Sequence, residues 1–530
     1  MAMNRLRQLV GRANVKQTVG GAAAIISIAY LLSRLLGLLR DRLLIAHFGV
    51  GATLDAYMAA FSLPDLLFTL LVSGAFAVTF IPVFTSKLHQ GEEKEAWEMT
   101  ATLLNLLVIV TVLAAIIGSI FASPIVSVMA AGFHGSEHNL TVNLTRIMLL
   151  TPIFFAISSV FGSIQQAKGR FLIYAMASVL YNLGIIFGIL VFSHHFGIYG
   201  VAWGVVLGTV LQALLQLGGL IGLGVRYKPI LKLKLRSVHR VLWLMLPRAI
   251  DQGIDQVNFV IEKAIGSTLA VGSVTAYTLA NNLKNVPLSL IGSAIATAVF
   301  PRLTANVADG KKEELANDVS RTARFILFLS LPSAAFVIVA RGYIVRVLYG
   351  FGNVETANAL GWFAGTIVFA SLFFLVARIF FAYQDTRTPL IVSLFSIGIN
   401  VYLSFTLSHH YGVSGLAMAG STVDALETIT LLAILQLRHI PIGLGRIING
   451  SWRMLAAALV MGAALFELIH YVVPLYASDV GFLVIAPKFG LILGTAVVVY
   501  GGVCYLLRLQ EGGWFVRRVR ELLARPLGLN

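Results

Sequence analysis

The chain has 530 residues, of which 58% are hydrophobic and 12% charged, with 39 basic and 23 acidic side chains and a formal charge of +16. An ordinary soluble domain carries roughly 25% charged residues, so this chain cannot cover its own surface with polar groups and must turn much of it toward lipid. That excludes a string of soluble domains, and the basic excess, lodged in loops between apolar runs, reads as membrane topology rather than nucleic-acid binding. The single cysteine, Cys504, excludes an intramolecular disulfide.

A spanning helix needs about 20 mostly apolar residues. The first apolar run follows a basic N-terminus, but it is long, contains arginines and lacks a small-residue cleavage site, so it reads as a retained span. Taken in chain order, the runs predict about 14 spans, near 20–47, 55–86, 96–122, 142–166, 171–193, 199–224, 239–265, 272–304, 318–340, 356–383, 388–408, 414–437, 452–474 and 484–508. The stretch 123–133 is short and reads as interfacial. The expected fold class is therefore an all-α polytopic membrane protein.

Lysine and arginine alternate between loops. Arg5, Arg7, Arg12 and Lys16 precede the first span, Lys228, Lys232, Lys234 and Arg236 follow the sixth, and Arg517, Arg518, Arg520 and Arg525 close the chain. The opposite loops at 123–141, 194–199, 409–413 and 470–483 have none, Arg341 and Arg346 being the exceptions on that side. The positive-inside rule then places both termini in the cytoplasm, which requires an even number of spans.

The chain repeats itself. "SHHFGIYGVAWG" at 193–204 returns as "SHHYGVSGLAMAG" at 408–420, "AGFHG" at 131–135 echoes "YGFGN" at 349–353, and "FAVTFIPVF" at 76–84 resembles "IATAVFPRL" at 295–303. A repeat of six spans preserves topology, which predicts two pseudo-symmetric six-helix bundles around a central cavity, as in parallel-repeat transporters. The expected divisions are 1–230, 231–440, and 441–530 for two additional helices and a basic tail.

Charges stand where lipid should be. The first span contains Arg34, Arg40, Asp41 and Arg42, each costing about 2.5–3.5 kcal/mol at the bilayer centre on insertion scales. Arg34 and Asp41 are seven apart and share a helix face; Arg34 is expected to line a cavity and Arg42 to snorkel to the interface. The second span opens with Asp55, and Pro64 predicts a kink within its run "LPDLLFTLLVSGAF", where Gly74 permits close helix approach. In the seventh span Arg248, Asp251, Asp255 and Glu262 form a polar stripe beside Lys263. Asn281, Asn282, Lys284, Arg378, Asn400, Asp424 and Glu427 add polar groups to later spans. For Glu262, Asn400 and Asp424 two readings stand: interhelix hydrogen bonding, or a site for a coupling cation, sodium or a proton. No Walker-type phosphate loop, H-E-x-x-H or zinc-spaced cysteine cluster occurs, so no resident cofactor or metal is expected.

The opening "SRLLGLLRDRLLIAHFGVGATLDAYMAAFSLPDLL", followed by "GAFAVTFIPVF", closely resembles the MurJ-type (MurJ/MviN) lipid II flippases of the multidrug/oligosaccharidyl-lipid/polysaccharide exporter superfamily. "NNLKNVPLSLIGSAIATAVFPRL" and "FAYQDTRTPL" fit the same family, and the resemblance covers essentially the whole chain. It implies a bacterial inner-membrane transporter, not an enzyme, that serves peptidoglycan synthesis and carries lipid-linked precursor to the outer leaflet. The family's important charges match Arg34, Arg40, Asp41 and Asp55, to which Arg248 and Asn282 are added as substrate-binding candidates. Arginine suits a pyrophosphate because its planar fork donates two charge-assisted hydrogen bonds. The chain departs from the family at Phe68 and Thr69 and at Asn282, where arginines are common; Arg248, Lys263 and Lys284 are candidates to supply the missing charge. The expected partners are lipid II and membrane lipids, with the chain working as a monomer. Alternatives are an exporter of another lipid-linked oligosaccharide or a cationic drug, and, more distantly, a polyprenyl-phosphate-processing enzyme.

Overall fold

The computed structural model describes residues 19–72, 75–225, 227–350, 352–476, 478–479, 481–509 and 511–512. The basic terminal clusters Arg5–Lys16 and Arg517–Arg525, together with Gly74 and the side chain of Asp251, lie outside the described residues. The described residues are almost wholly helical, as the composition requires: a backbone in lipid must satisfy its own polar groups, and a helix does so within one segment.

Fourteen long helical stretches follow one another among the described residues. The first seven are α1 (Val19–Phe48), α2 (Ala52–His89), α3 (Glu93–Ile120), α4 (Gly135–Ala167), α5 (Leu172–Phe196), α6 (Ile198–Gly219) and α7 (Arg236–Ser267). The rest are α8 (Ser273–Ala308), α9 (Lys312–Tyr349), α10 (Val354–Ala382), α11 (Arg387–Tyr411), α12 (Val413–Leu437), α13 (Leu444–Val472) and α14 (Phe482–Leu506). Twelve of them are long and apolar enough to cross a membrane. The other two, α1 and α7, have 30 and 32 residues and carry the charge clusters; at about 1.5 Å per residue both exceed the hydrocarbon thickness. A separate eight-residue helix, Ala122–Met129, occupies the stretch expected to be interfacial.

The expected kink at Pro64 is realised at Phe61. One helical piece of α2 ends at Ala60 and the next begins at Ser62, leaving Pro64 in the first turn of the new piece. There its missing N–H removes no hydrogen bond, and the break upstream relieves the ring's clash with the carbonyl four residues earlier.

The chain forms two compact units, residues 1–275 and 276–530. In the first, Phe76, Phe80 and Phe84 stack in succession at 5.1 Å between ring centroids, Trp97 meets Phe84 edge-on at 5.3 Å, and the four anchor a core with Met99, Leu103 and Val160. In the second, Ile326, Leu375, Phe380, Leu431 and Leu435 form the corresponding core. Sequence repetition places the lobe boundary near 230, whereas packing keeps α7 with the first unit. Lys263 of α7 donates to the Met58 carbonyl at 3.1 Å, and Ser267 accepts from the Gly132 N–H at 3.0 Å.

Lipid supplies no hydrophobic force between helices, so close packing depends on small residues. A Cβ at Gly184 would lie 2.3 Å from the Gly208 Cα, and one at Gly188 2.5 Å from the Gly204 Cα. These glycines recur every fourth residue and bring α5 and α6 into backbone contact. The repeat is visible in the dihedral angles. Gly197 (φ 55, ψ −136) and Gly412 (φ 56, ψ −137) open α6 and α12 in the same left-handed conformation. Three residues on, Gly200 and Gly415 sit against the carbonyls of Phe192 and Leu407 at 2.4 and 2.3 Å from an added Cβ. Pro82 and Pro301 lie inside equivalent helices.

Candidate functional site

The charges of α1 are held differently along its length. Arg40 donates through Nε and NH2 to Asp41 Oδ1, at 2.9 and 2.7 Å, and through NH1 to Asn182 Oδ1 at 3.4 Å. Asp41 is buried. The Asn182 amide is oriented by donating to the Ser33 hydroxyl at 3.1 Å and the Ser178 carbonyl at 3.0 Å, so its oxygen is turned toward Arg40. Arg34 lies two turns away and is exposed. It donates to the Tyr30 hydroxyl at 3.1 and 2.8 Å and packs 5.2 Å from that ring's centroid. Among the described residues Arg34 makes no ion pair, so its charge is left for solvent or a ligand. Arg42 is half-buried.

Asp55 has a structural post. Its buried carboxylate accepts from the Gly272 N–H at 2.5 Å, the Thr275 N–H at 2.8 Å and the Thr275 hydroxyl at 2.6 Å. Three charge-assisted bonds of about 1.5–3 kcal/mol each fix the first turn of α8 and occupy the oxygens that a ligand would need. The same helix α2 carries Asp65, a half-buried carboxylate on which the charges of Lys263 and Arg40 act. Lys263 is buried, bonded to the Met58 carbonyl, with its ammonium 4.5 Å from the Phe259 ring centre. Tyr57 and Tyr181 lie within reach of the charges of Arg40, Asp41 and Asp65. The first unit thus gathers two cations, two carboxylates, two phenols and an amide from α1, α2, α5 and α7.

Asp65, Asn182 and Tyr181 did not stand out in the sequence. Asp65 had a readable signal, a carboxylate in an apolar run directly after Pro64. Asn182 and Tyr181 had none, because one polar residue per helix is ordinary.

The remaining candidates are dispersed. Arg248 and Asp255 of α7 are exposed, while Glu262 is buried and accepts from the Asn258 amide at 3.3 Å. Glu262 belongs to the first unit, and Asn400 and Asp424 to the second. Asn400 is buried and accepts from the Ser404 hydroxyl at 3.4 Å, Asp424 is half-buried, and Glu427 accepts from the Ser393 hydroxyl. In α8, Asn282 is half-buried, and the Lys284 ammonium lies 4.2 Å from the Phe363 ring centre. Arg378 donates to the Thr297 hydroxyl at 3.3 Å and lies 5.1 Å from the Phe300 ring centre. Phe68 packs 4.8 Å from Phe155 within the apolar core of the first unit, an environment with no place for a charge.

An arginine pair at one end of a polar cluster, in helices otherwise built for lipid, can bind an anionic group without burying it. The family model described as Lipid II flippase MurJ matches residues 44–486. The chain is 27% identical over 532 residues to a probable lipid II flippase MurJ of Rhizobium tropici, with 96% of each chain covered. It is 29% identical over 412 residues to the lipid II flippase MurJ of Burkholderia cenocepacia, covering 74% of this chain and 78% of that one. Among solved structures it is similar to lipid II flippase MurJ in an inward closed conformation, with a TM-score of 0.75 at 21% identity over 91% of this chain and 99% of that one. It also resembles an inward-facing multidrug resistance transporter of the MATE family and MOP superfamily, with a TM-score of 0.63 at 16% identity over 79% of this chain and 98% of that one; at such identities the likeness is one of fold. With the family match running from the end of α1 into α14, the chain belongs to the lipid II flippase MurJ family.

Proposed function

We propose that this chain flips lipid II, the undecaprenyl-pyrophosphate-linked peptidoglycan precursor, from the inner to the outer leaflet of the bacterial cytoplasmic membrane. It does so by alternating access, as a monomer with both termini in the cytoplasm, and without covalent chemistry. The observation that carries this reading is the membership of the family together with an exposed Arg34, without an ion pair among the described residues, two turns from the Arg40–Asp41–Asn182 group.

In this reading Arg34 makes the first contact with the pyrophosphate, because its guanidinium has only a phenol to leave. Arg40 is held by Asp41 and Asn182 and receives the anion with its remaining N–H donors already aimed. Asp65 and Lys263 adjust the net charge around it, and the polyprenyl tail stays in lipid while the headgroup crosses. Glu262, Asn400 and Asp424 are candidates for binding a coupling cation, sodium or a proton.

The test is depletion of the chromosomal gene combined with a leaflet-accessibility assay for lipid II. Accumulation of lipid II in the inner leaflet, reversed by the wild-type chain, is the expected result. Unchanged outer-leaflet lipid II in depleted cells would overturn the proposal and favour a related exporter.

A further inference from the structure

In the second unit, the N-terminal half of α9 carries a polar row with an unfinished contact. Asn317, Ser320, Arg324 and Phe328 recur at intervals of three and four and so share one helix face. The last two helices dock along it. Arg446 of α13 donates to the Asn317 side-chain oxygen, Gly443, just ahead of α13, lies over Ser320, and the Tyr500 hydroxyl of α14 donates to the Phe328 carbonyl at 2.8 Å. Between these contacts Arg324 pairs with Glu511 at 2.7 Å, the one ion pair among the described residues that links α9 to the chain from α13 onward.

Glu511 reaches Arg324 because the chain folds back after α14. The Leu509 N–H donates to the Cys504 carbonyl at 3.0 Å while Arg508 takes a left-handed conformation (φ 51), which closes the helix in a Schellman turn. The return lays Gly512 over Cys504: a Cβ there would lie 3.4 Å from the Cys504 Cβ. Cys504, the chain's only cysteine, is fully buried. The ion pair itself is half made. It joins Arg324 NH2 to Glu511 Oε1, while Arg324 Nε and Glu511 Oε2 are buried with no hydrogen-bond partner among the described residues. An arginine and a carboxylate commonly close two parallel bonds, and a buried polar atom without a partner offsets what the pair contributes. Closure is prevented by α13: a Cβ at Gly450 would lie 2.6 Å from Arg324 Nε, so that edge of the guanidinium faces the α13 backbone rather than Glu511.

We propose that the Arg324–Glu511 pair is a releasable latch, which holds the segment following α14 closed over Cys504 and against α9 and opens without disturbing the rest of the second unit. Open, it uncovers the Cys504 face of α14 and leaves the Tyr500 bond to tie that helix to α9. Glu511 stands six residues ahead of Arg517, the first arginine of the basic tail, so the latch sets where that tail is anchored. It is built from contacts within the second unit and does not depend on what the chain transports.

Cys504 is the reporter. In the purified full chain in detergent, alkylation of its thiol by N-ethylmaleimide, followed by intact mass, should be slow. It should be about tenfold faster in Glu511→Gln, which leaves the guanidinium without its counter-charge. Gly450→Ala, which displaces the guanidinium and keeps both charges, should act in the same direction. Arg324→Glu and Glu511→Arg should each open the latch, and the two together should restore slow alkylation. In a Cys504→Ser background, Ala359→Cys, at a buried position of α10 in the same unit, should stay protected when Glu511→Gln is added, which separates release from unfolding. Because Glu511→Gln keeps the shape of the side chain, it remains informative where a charge-swapped variant fails to fold. Alkylation of Cys504 at the wild-type rate in Glu511→Gln, an equal rise at position 359, or a folded double swap as reactive as its single members would each overturn the latch.

Discussion

Arg34 and Arg40 are the same residue type on one helix, but they are not held alike. Arg40 has a carboxylate and an oriented amide around it, whereas Arg34 has a tyrosine. A charge-assisted hydrogen bond contributes about 1.5–3 kcal/mol, which is roughly ten- to over a hundredfold in binding. Arg34→Ala and Arg40→Ala should therefore impair flipping severely at normal abundance, read as loss of complementation and of outer-leaflet lipid II. The lysine variants should be intermediate, since lysine keeps the charge and loses the fork. Asn182→Ala should act more mildly, because it removes the group that orients Arg40 and no ligand contact. Wild-type flipping by both arginine-to-alanine variants would sink the anion-binding reading. Glu262 belongs to this scale too. Buried beside Asn258, its carboxylate should be neutralised without unfolding by Glu262→Gln, with transport losing its response to sodium or pH; unchanged titrations of transport would remove Glu262 from coupling.

At the scale of elements, the close approach of α5 and α6 is set by glycines whose places cannot be filled. Gly188→Val would drive a side chain into the Gly204 backbone, for which overpacking costs typically 1–3 kcal/mol. Gly218→Ala meets nothing within 4 Å and should be neutral or slightly stabilising through helix propensity. A lowered melting temperature for the first variant alone, in detergent, is the expected contrast. The turn between α10 and α11 is fastened by Asp385, which accepts from the Arg387 and Thr388 N–H groups at 3.1 and 3.0 Å and from Arg438, just past the end of α12, at 2.6 Å. Burial opposes ionisation of Asp385, but Thr388 and Arg438 outweigh it and hold its carboxyl down to about 2. A carboxyl with a depressed folded-state pKa stabilises the fold in full above its ordinary value, near 4, and the contribution is lost as pH falls toward the folded value. Asp385→Ala should thus cost about 1–2 kcal/mol near neutrality. The gap in melting temperature from wild type should shrink as pH drops from about 4 toward 2, and a gap constant across that range would rule out the carboxylate as its source.

At the scale of the whole molecule, the orientation in the bilayer follows from loop charge. In intact cells a cysteine at Gly135 should react with an impermeant thiol reagent, and one at Lys234 should be shielded until the membrane is opened. Cys504 is buried and should give little background. Labelling of both positions from outside would reverse the assignment.

Membrane embedding, the helical fold and the repeat were legible without coordinates, because hydropathy and glycine placement are local quantities. The two "SHH…G" segments were readable as a repeat, and Gly197 and Gly412 carry it into matching dihedral angles. The charges of α1 were likewise visible, since arginine in an apolar run is costly wherever it ends up. Tertiary structure decided which of these charges are spoken for. Asp55 and Asp65 look alike along α2, yet one is consumed in fixing the start of α8 while the other stands among Lys263, Arg40 and two tyrosines. No periodicity could separate them, because the distinction lies in donors from residues 272–275 and in the charge of Lys263, some two hundred positions away. The same holds for residues 227–236: their lysines were legible as topology signals, but only folding lays the segment along α3, through Thr102 and Asn105.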